Sequence, residues 1–404
     1  MKNTIKEQLF VIVIILAVTG CSGPDAFEGV PDHISAMENL TIYSLPENPK
    51  IIQLIRDQTY GDTEEIFFSR MREFIVDDEG RIFIVEGAVG RKTINVFDSD
   101  GQHLKSLGRE GKGPGEFEDI CCIEINSEKL YVYDPVQRRM SLFSLETLEF
   151  LDVYRFDRIN LPESVTDGTF TGMYYFVTPE KILMEFSPPA HLHQNSDSLS
   201  NAYFYSDEKF NLSSSRIFEL KQIPHHWGDF EGRRLRETFP FFEKSLIAVP
   251  NTGRIFTAKS SHFFVNELDQ DGNYLRSFYY PHEELEVTRE DAYKSSNMMT
   301  RNIAESLELP EYWPVLNSMQ FDDQDRLWIS TFTENEDQLK WWVLNTDGEL
   351  QGTFYFQGDR YGWPLRNAQS MKVIQKGYFY AMERNDETEL NEIVRYRIEF
   401  EESQ

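Results

Sequence analysis

The chain is 404 residues long, 14% aromatic and 27% charged, with 68 acidic against 40 basic side chains and a formal net charge of -28. Nucleic acid and anionic membrane surfaces both demand a dense basic footprint, so neither is an expected partner of the folded part of this chain. With only 3 cysteines there is no expected disulfide framework, and stability has to come from an apolar core.

At the start, Lys2 and Lys6 precede an apolar run over residues 9–18, followed by Val18, Thr19, Gly20 and Cys21. A run of about ten residues is too short to cross a bilayer, which takes about twenty, so residues 1–20 read as an export signal. The small residues just before Cys21 resemble a bacterial lipobox, which implies lipidation of Cys21. The partner at this end is then the membrane, held through lipid. Residues 21–37 are expected to be a tether and residues 38–404 the folded domain. Ser22 is not the aspartate typical of inner-membrane retention, which favours an outer-membrane address in the cell envelope. Cys121 and Cys122 are neighbours that cannot easily close an unstrained bridge, so they are expected as buried apolar thiols.

Next comes a unit that recurs six times: an apolar strand, a short polar turn and an aromatic-rich strand. Its first strands are residues 74–76, 123–125, 174–177, 246–249, 319–321 and 371–374. Three of the five steps between units are about 50 residues, the length four short strands with turns require. A second hairpin follows each of the first five, turning through Gly101, Gly272 and Gly348 in the clearest copies, where glycine supplies the positive φ. The last unit has a third strand, 393–400, but no fourth, whereas residues 40–45 form a strand with no hairpin partner. Pairing these two would complete a blade and seal a ring without exposed edges. The expectation is therefore all-β: a monomeric six-bladed propeller of four-stranded blades.

The run GREGKGPGEF at residues 108–117 and the hairpins opening at Asp77 and Asp322 resemble the joints and repeats of NHL-type six-bladed propellers. With the lipobox, the chain resembles the six-bladed propeller lipoproteins of Bacteroidota over residues 38–400. That resemblance implies a fold and leaves the function open.

In such a blade the first-to-second and third-to-fourth connections leave on one face, and all others leave on the opposite one. The tight turns then share a face, and the long insertions 187–201, 221–244, 281–316, 333–340 and 357–368 share the other, where binding and catalysis usually reside. Residues 288–307 carry a helical insertion: Thr288 and Asp291 form a capping signal, Ala292, Met299, Ile303 and Leu307 a stripe, and Pro310 a stop.

On the long-loop face, Trp227, Arg233, Arg234, Trp313, Trp363 and Arg366 suit stacking on sugar rings or anchoring a protein partner. His191, His193, His225 and His226 come from two insertions of blade three, but their spacing matches no zinc motif, so solvated histidines are the expectation and no metal is. Glycines 108–115 lack the Gly-Lys-Ser/Thr ending of a phosphate loop. Two functions stay open. One is a binding or scaffold module for a protein or glycan ligand, with no cofactor. The other, implied by a resemblance in fold to lactonase-like six-bladed propellers, is a hydrolase or lyase acting on a sugar or lactone, with calcium at the channel mouth near Glu73, Asp119 and Asn317.

Overall fold

The computed structural model describes residues 29–401 except 62–65, 67, 69, 89, 157–168, 189–198, 363–371 and 386. Six antiparallel sheets radiate around a central channel as the expected propeller. Blade one is built of Met71–Val76, Ile82–Glu86, Thr93–Phe97 and His103–Leu107, and blade two of Cys122–Asn126, Lys129–Asp134, Arg139–Ser144 and Phe150–Arg155. Blade three runs through Thr169–Thr178, Lys181–Ser187, Ser200–Ser206 and Leu212–Lys221, and blade four through Ser245–Ala248, Ile255–Lys259, Phe264–Leu268 and Tyr274–Tyr279. Leu316–Phe321, Leu327–Phe332, Gln338–Leu344 and Leu350–Gln357 form blade five, and Lys372–Gln375, Tyr378–Arg384 and Asn391–Phe400 open blade six.

The second strand of each blade carries the core. Ile82, Phe83, Ile84 and Val85 are fully buried, as are Ile182, Leu183 and Met184. Such strands read as continuous apolar runs because a blade packs on both faces against its neighbours.

Closure differs from the expectation. The fourth strand of blade six is Ile52–Tyr60, antiparallel to Phe400–Ile393. Leu40–Ile42 instead adds a fifth strand to blade four, parallel to Ser277–Tyr279. The reason is chain economy: a closing strand has to lead directly into the next innermost strand, and Tyr60 lies close in sequence to Met71 where residue 45 does not. Arg56, Asp57 and Gln58 masked the strand by interrupting its apolar alternation, and the pairing shifts register at that point. Upstream, within the stretch 21–37 expected to be a tether, Asp32–Ser35 is a single helical turn with Ile34 fully buried.

The helical insertion is two short helices, Arg289–Lys294 and Arg301–Ser306. The Thr288 and Asp291 capping box forms as expected. Ser296 and Asn297 then break the run, with the Ser296 hydroxyl donating to the Tyr293 carbonyl and Asn297 Oδ1 accepting the N–H of Met299. Local side-chain bonds of this kind compete with a continuing helix. Met299 is consequently 48% exposed instead of joining the stripe, while Ala292, Ile303 and Leu307 are buried.

The recurring Asp at the turns is a hydrogen-bonding device. Asp77 Oδ1 accepts the N–H groups of Glu79 and Arg81 at 2.9 Å each, and Asp322 does the same for Gln324 and Arg326. An acidic side chain thus closes each turn on its own backbone. The joint at residues 108–117 wraps the buried Arg139, whose guanidinium donates to the carbonyls of Lys112, Gly113 and Glu116. Cys121 and Cys122, expected as separate thiols, are joined as a disulfide between neighbours. Both sulfurs face Gly172, where a missing side chain leaves them room.

Candidate functional site

The innermost strands enclose a channel of about 770 Å³ lined by Glu73, Glu124, Tyr174, Gln320 and Lys372 among others. Glu73 Oε2 accepts the N–H of Ile123 at 2.9 Å, yet burial holds its carboxyl well above the usual carboxylate range. Burial likewise pushes Glu124 up to about 7. The Tyr174 phenol is raised by its own burial and then by these two carboxyls. Lys372 is lowered by burial. Removing charged groups from water disfavours their charged forms, which is the common cause of these shifts. It extends to Asp77, Asp78, Asn126, Asn251, Asp322 and Asp323, which belong to the tight-turn face.

The positions suggested for a calcium centre do not converge. Asp119 is engaged by Arg72 at 2.7 Å and Lys92 at 3.5 Å, and Asn317 Nδ2 donates to Ser330. Among the described residues no group of three or more metal-ligating side chains forms. His226 lies against Phe242 and Phe239, and His225 lines a separate side pocket. Cys21, His191, His193, Trp363 and Arg366 lie outside the described residues.

Trp227 and its arginines lie on a β-hairpin, His226–Phe230 paired with Arg233–Glu237, and not on an irregular loop. Alternation divides the hairpin into two faces. Gly228 and Leu235 pair on the inner face, where Gly228 abuts Ile303 and Leu235 packs on a core of Phe239, Phe241, Ala292, Ile303 and Leu307. Trp227 pairs with Arg236, and Asp229 with Arg234, on the outer face. The Arg234 guanidinium sits 5.0 Å from the Trp227 ring centroid. Arg233, Arg234 and Arg236 are exposed and Trp227 is half-buried. Trp313 is different: it is 3% exposed, packed against Phe241, Phe332 and Tyr361 under the Arg360 guanidinium. It anchors the ledge and offers no surface to a ligand.

Sequence reasoning named Glu73 for a metal site and missed Glu124, Lys372 and Lys244. A lone charge in a strand reads as solvent-facing. Stacking the six units on their turns would have placed Glu124 and Lys372 in the innermost column.

Among known proteins, a family model described as 6-bladed beta-propeller matches residues 62–227. The structure is similar to that of a Bacteroides fragilis protein assigned by inference as exported, with a TM-score of 0.53 at 14% identity over 90% of this chain and 100% of that one. It is also similar to a member of the DUF4221 family from Bacteroides vulgatus, with a TM-score of 0.51 at 12% identity over 88% of this chain and 100% of that one. At such identities the likeness establishes the six-bladed propeller fold. No curated protein matches the sequence.

Proposed function

We propose that this is an exported, lipid-anchored propeller that binds a protein or glycan ligand on its long-loop face. The observation that carries this reading is the outer face of the hairpin ledge, where exposed Arg234 and Arg236 flank Trp227 on a chain of net charge -28. On this outer face Arg234 and Arg236 stand beside Asp229 and offer two guanidinium groups to the carboxylates of a ligand, and the Arg-stacked tryptophan adds a flat apolar contact. Met298 and Met299, 82% and 48% exposed between the two short helices, extend the same side with adaptable apolar surface.

Glycan arrays and pull-downs with the W227A/R234A/R236A variant test the ledge. Loss of ligand with an unchanged melting temperature is expected, whereas retention of every interaction removes the basis of the reading. Metabolic labelling with an alkynyl fatty acid, lost on Cys21→Ala, tests the anchor. A second reading, a hydrolase or lyase working in the channel, has Glu124 in its favour, since a carboxyl near 7 is suited to proton transfer at neutral pH. Turnover of a lactone or glycoside that disappears in Glu124→Gln would support it.

A further inference from the structure

A second cavity of about 100 Å³ lies between blades three, four and five and shares Met173, Tyr175 and Ile247 with the wall of the channel. Its lining includes Met173 and Tyr175 of blade three, Ser245 to Ile247 of blade four, Asn317 and Ser318 of blade five, and Gln222, His225 and Lys244 from the long connection. It therefore belongs to the long-loop side.

Among the described residues, one of its polar groups lacks the partner its chemistry calls for, and another is a partly desolvated amine. Gln222 commits its amide nitrogen to Asn201 Oδ1 and Ser187 Oγ. Its carbonyl oxygen is buried without a hydrogen-bond partner. An orphaned buried acceptor is costly, and a donor from a ligand relieves it. Lys244 joins the same lining, half-buried, and burial lowers its pKa to about 8. A cation partly withdrawn from water is relieved by an anion brought beside it. The remaining groups are held rigidly: Glu185, 6% exposed, accepts the Tyr203 hydroxyl, and Asn201, 8% exposed, is fixed by Ser187.

We propose that this pocket binds a small carboxylate that also carries hydroxyl groups, with Lys244 pairing the carboxylate and Gln222 and Glu185 accepting from hydroxyls. The volume of about 100 Å³ takes the carboxylate end and adjoining hydroxyls of a sugar acid, with the rest of the ring at the mouth, as for a free acid or the terminal acidic residue of a glycan. This site is independent of the Trp227 ledge, so each can fail without the other.

The test titrates the full chain with D-galacturonate, D-glucuronate and D-glucose by calorimetry, and with a short oligogalacturonate. Binding of at least one uronate form in preference to glucose is expected. Affinity for the free acid identifies a small metabolite, and affinity confined to the oligomer identifies a glycan end. Lys244→Met should weaken uronate binding at least tenfold while raising the melting temperature of the unliganded protein, because the desolvated ammonium is gone. Gln222→Leu, read the same way, covers the case in which Lys244→Met misfolds. Equal affinity for glucose, unchanged affinity in the folded variants, or no uronate binding at millimolar concentration overturns the proposal.

Discussion

The two faces of this propeller are built on opposite principles. On the turn face, tight turns such as those at Asp77, Asp98, Asp207, Asp269, Asp322 and Asn345 are closed by their own side chains, and turns are bound to a neighbouring blade. Asn126 Nδ2 donates to the Pro179 carbonyl, the Asn251 N–H to Asp325, and Gln375 Nε2 to Asp78. Across the outer turns, Tyr205 donates to the Gln270 carbonyl and Tyr280 to that of Gly348. The long-loop face is held instead by an added aromatic core, with Phe239, Phe241 and Trp313 beneath the ledge. A polar lattice of short turns leaves little freedom to vary, whereas an apolar cap can carry any outer surface, and this cap carries the exposed arginines.

The contrast can be broken by substitution. The largest effect is expected from Trp313→Ala, which should cost about 4 kcal/mol through the cavity it leaves. If the cap is a separate layer, hydrogen exchange should rise in residues 226–242 and 289–313 while the blades stay protected. Uniform loss of protection would show that the two faces fold as one unit.

Gly253→Ala attacks the other face. Gly253 has φ +76°, and a Cβ there would run into the Val177 carbonyl oxygen of blade three. We expect about 3 kcal/mol of destabilisation, spread over blades three and four, from backbone strain plus the clash. Urea denaturation measures it, and a near-neutral result would mean that the turn lattice is slack.

Between the faces, Glu124→Gln sharpens the picture of the channel. Burial raises the folded carboxyl from 4.5 to about 7, so over that interval the folded state binds a proton that the unfolded state has released. Stability from this group therefore falls as pH rises through the interval, and the full cost is present above pH 7. The variant should gain about 2 kcal/mol at pH 8, allowing for partial exposure, and almost nothing at pH 4. A pH-independent difference would mean that Glu124 is solvated. The smallest effect on stability, under about 0.5 kcal/mol, is expected for Arg234→Ala, as for most exposed substitutions.

The blades were legible because their signal is local. Asp77 with Arg81, and Asp322 with Arg326, announce turns that close on themselves, and the flanking apolar runs announce strands. The candidate sites were legible only in part. Trp227 beside its arginines stood out as a composition, but the same composition around Trp313 led to a buried plug, since burial depends on which helices fold over it. Glu124 and Lys244 carried no signal of their own, because a charged side chain becomes unusual only once the surrounding blades have removed its water.

By itself, the sequence determined the number of blades, the turns and the sidedness of the loops, all consequences of hydrophobic period and turn chemistry within a few residues. The tertiary structure alone decided that Ile52–Tyr60 seals the ring while Leu40–Ile42 leans on blade four, and that Glu124 and Lys244 line cavities. Those outcomes depend on contacts between residues far apart in the chain, and the free energy of such contacts is set by the packed ring as a whole.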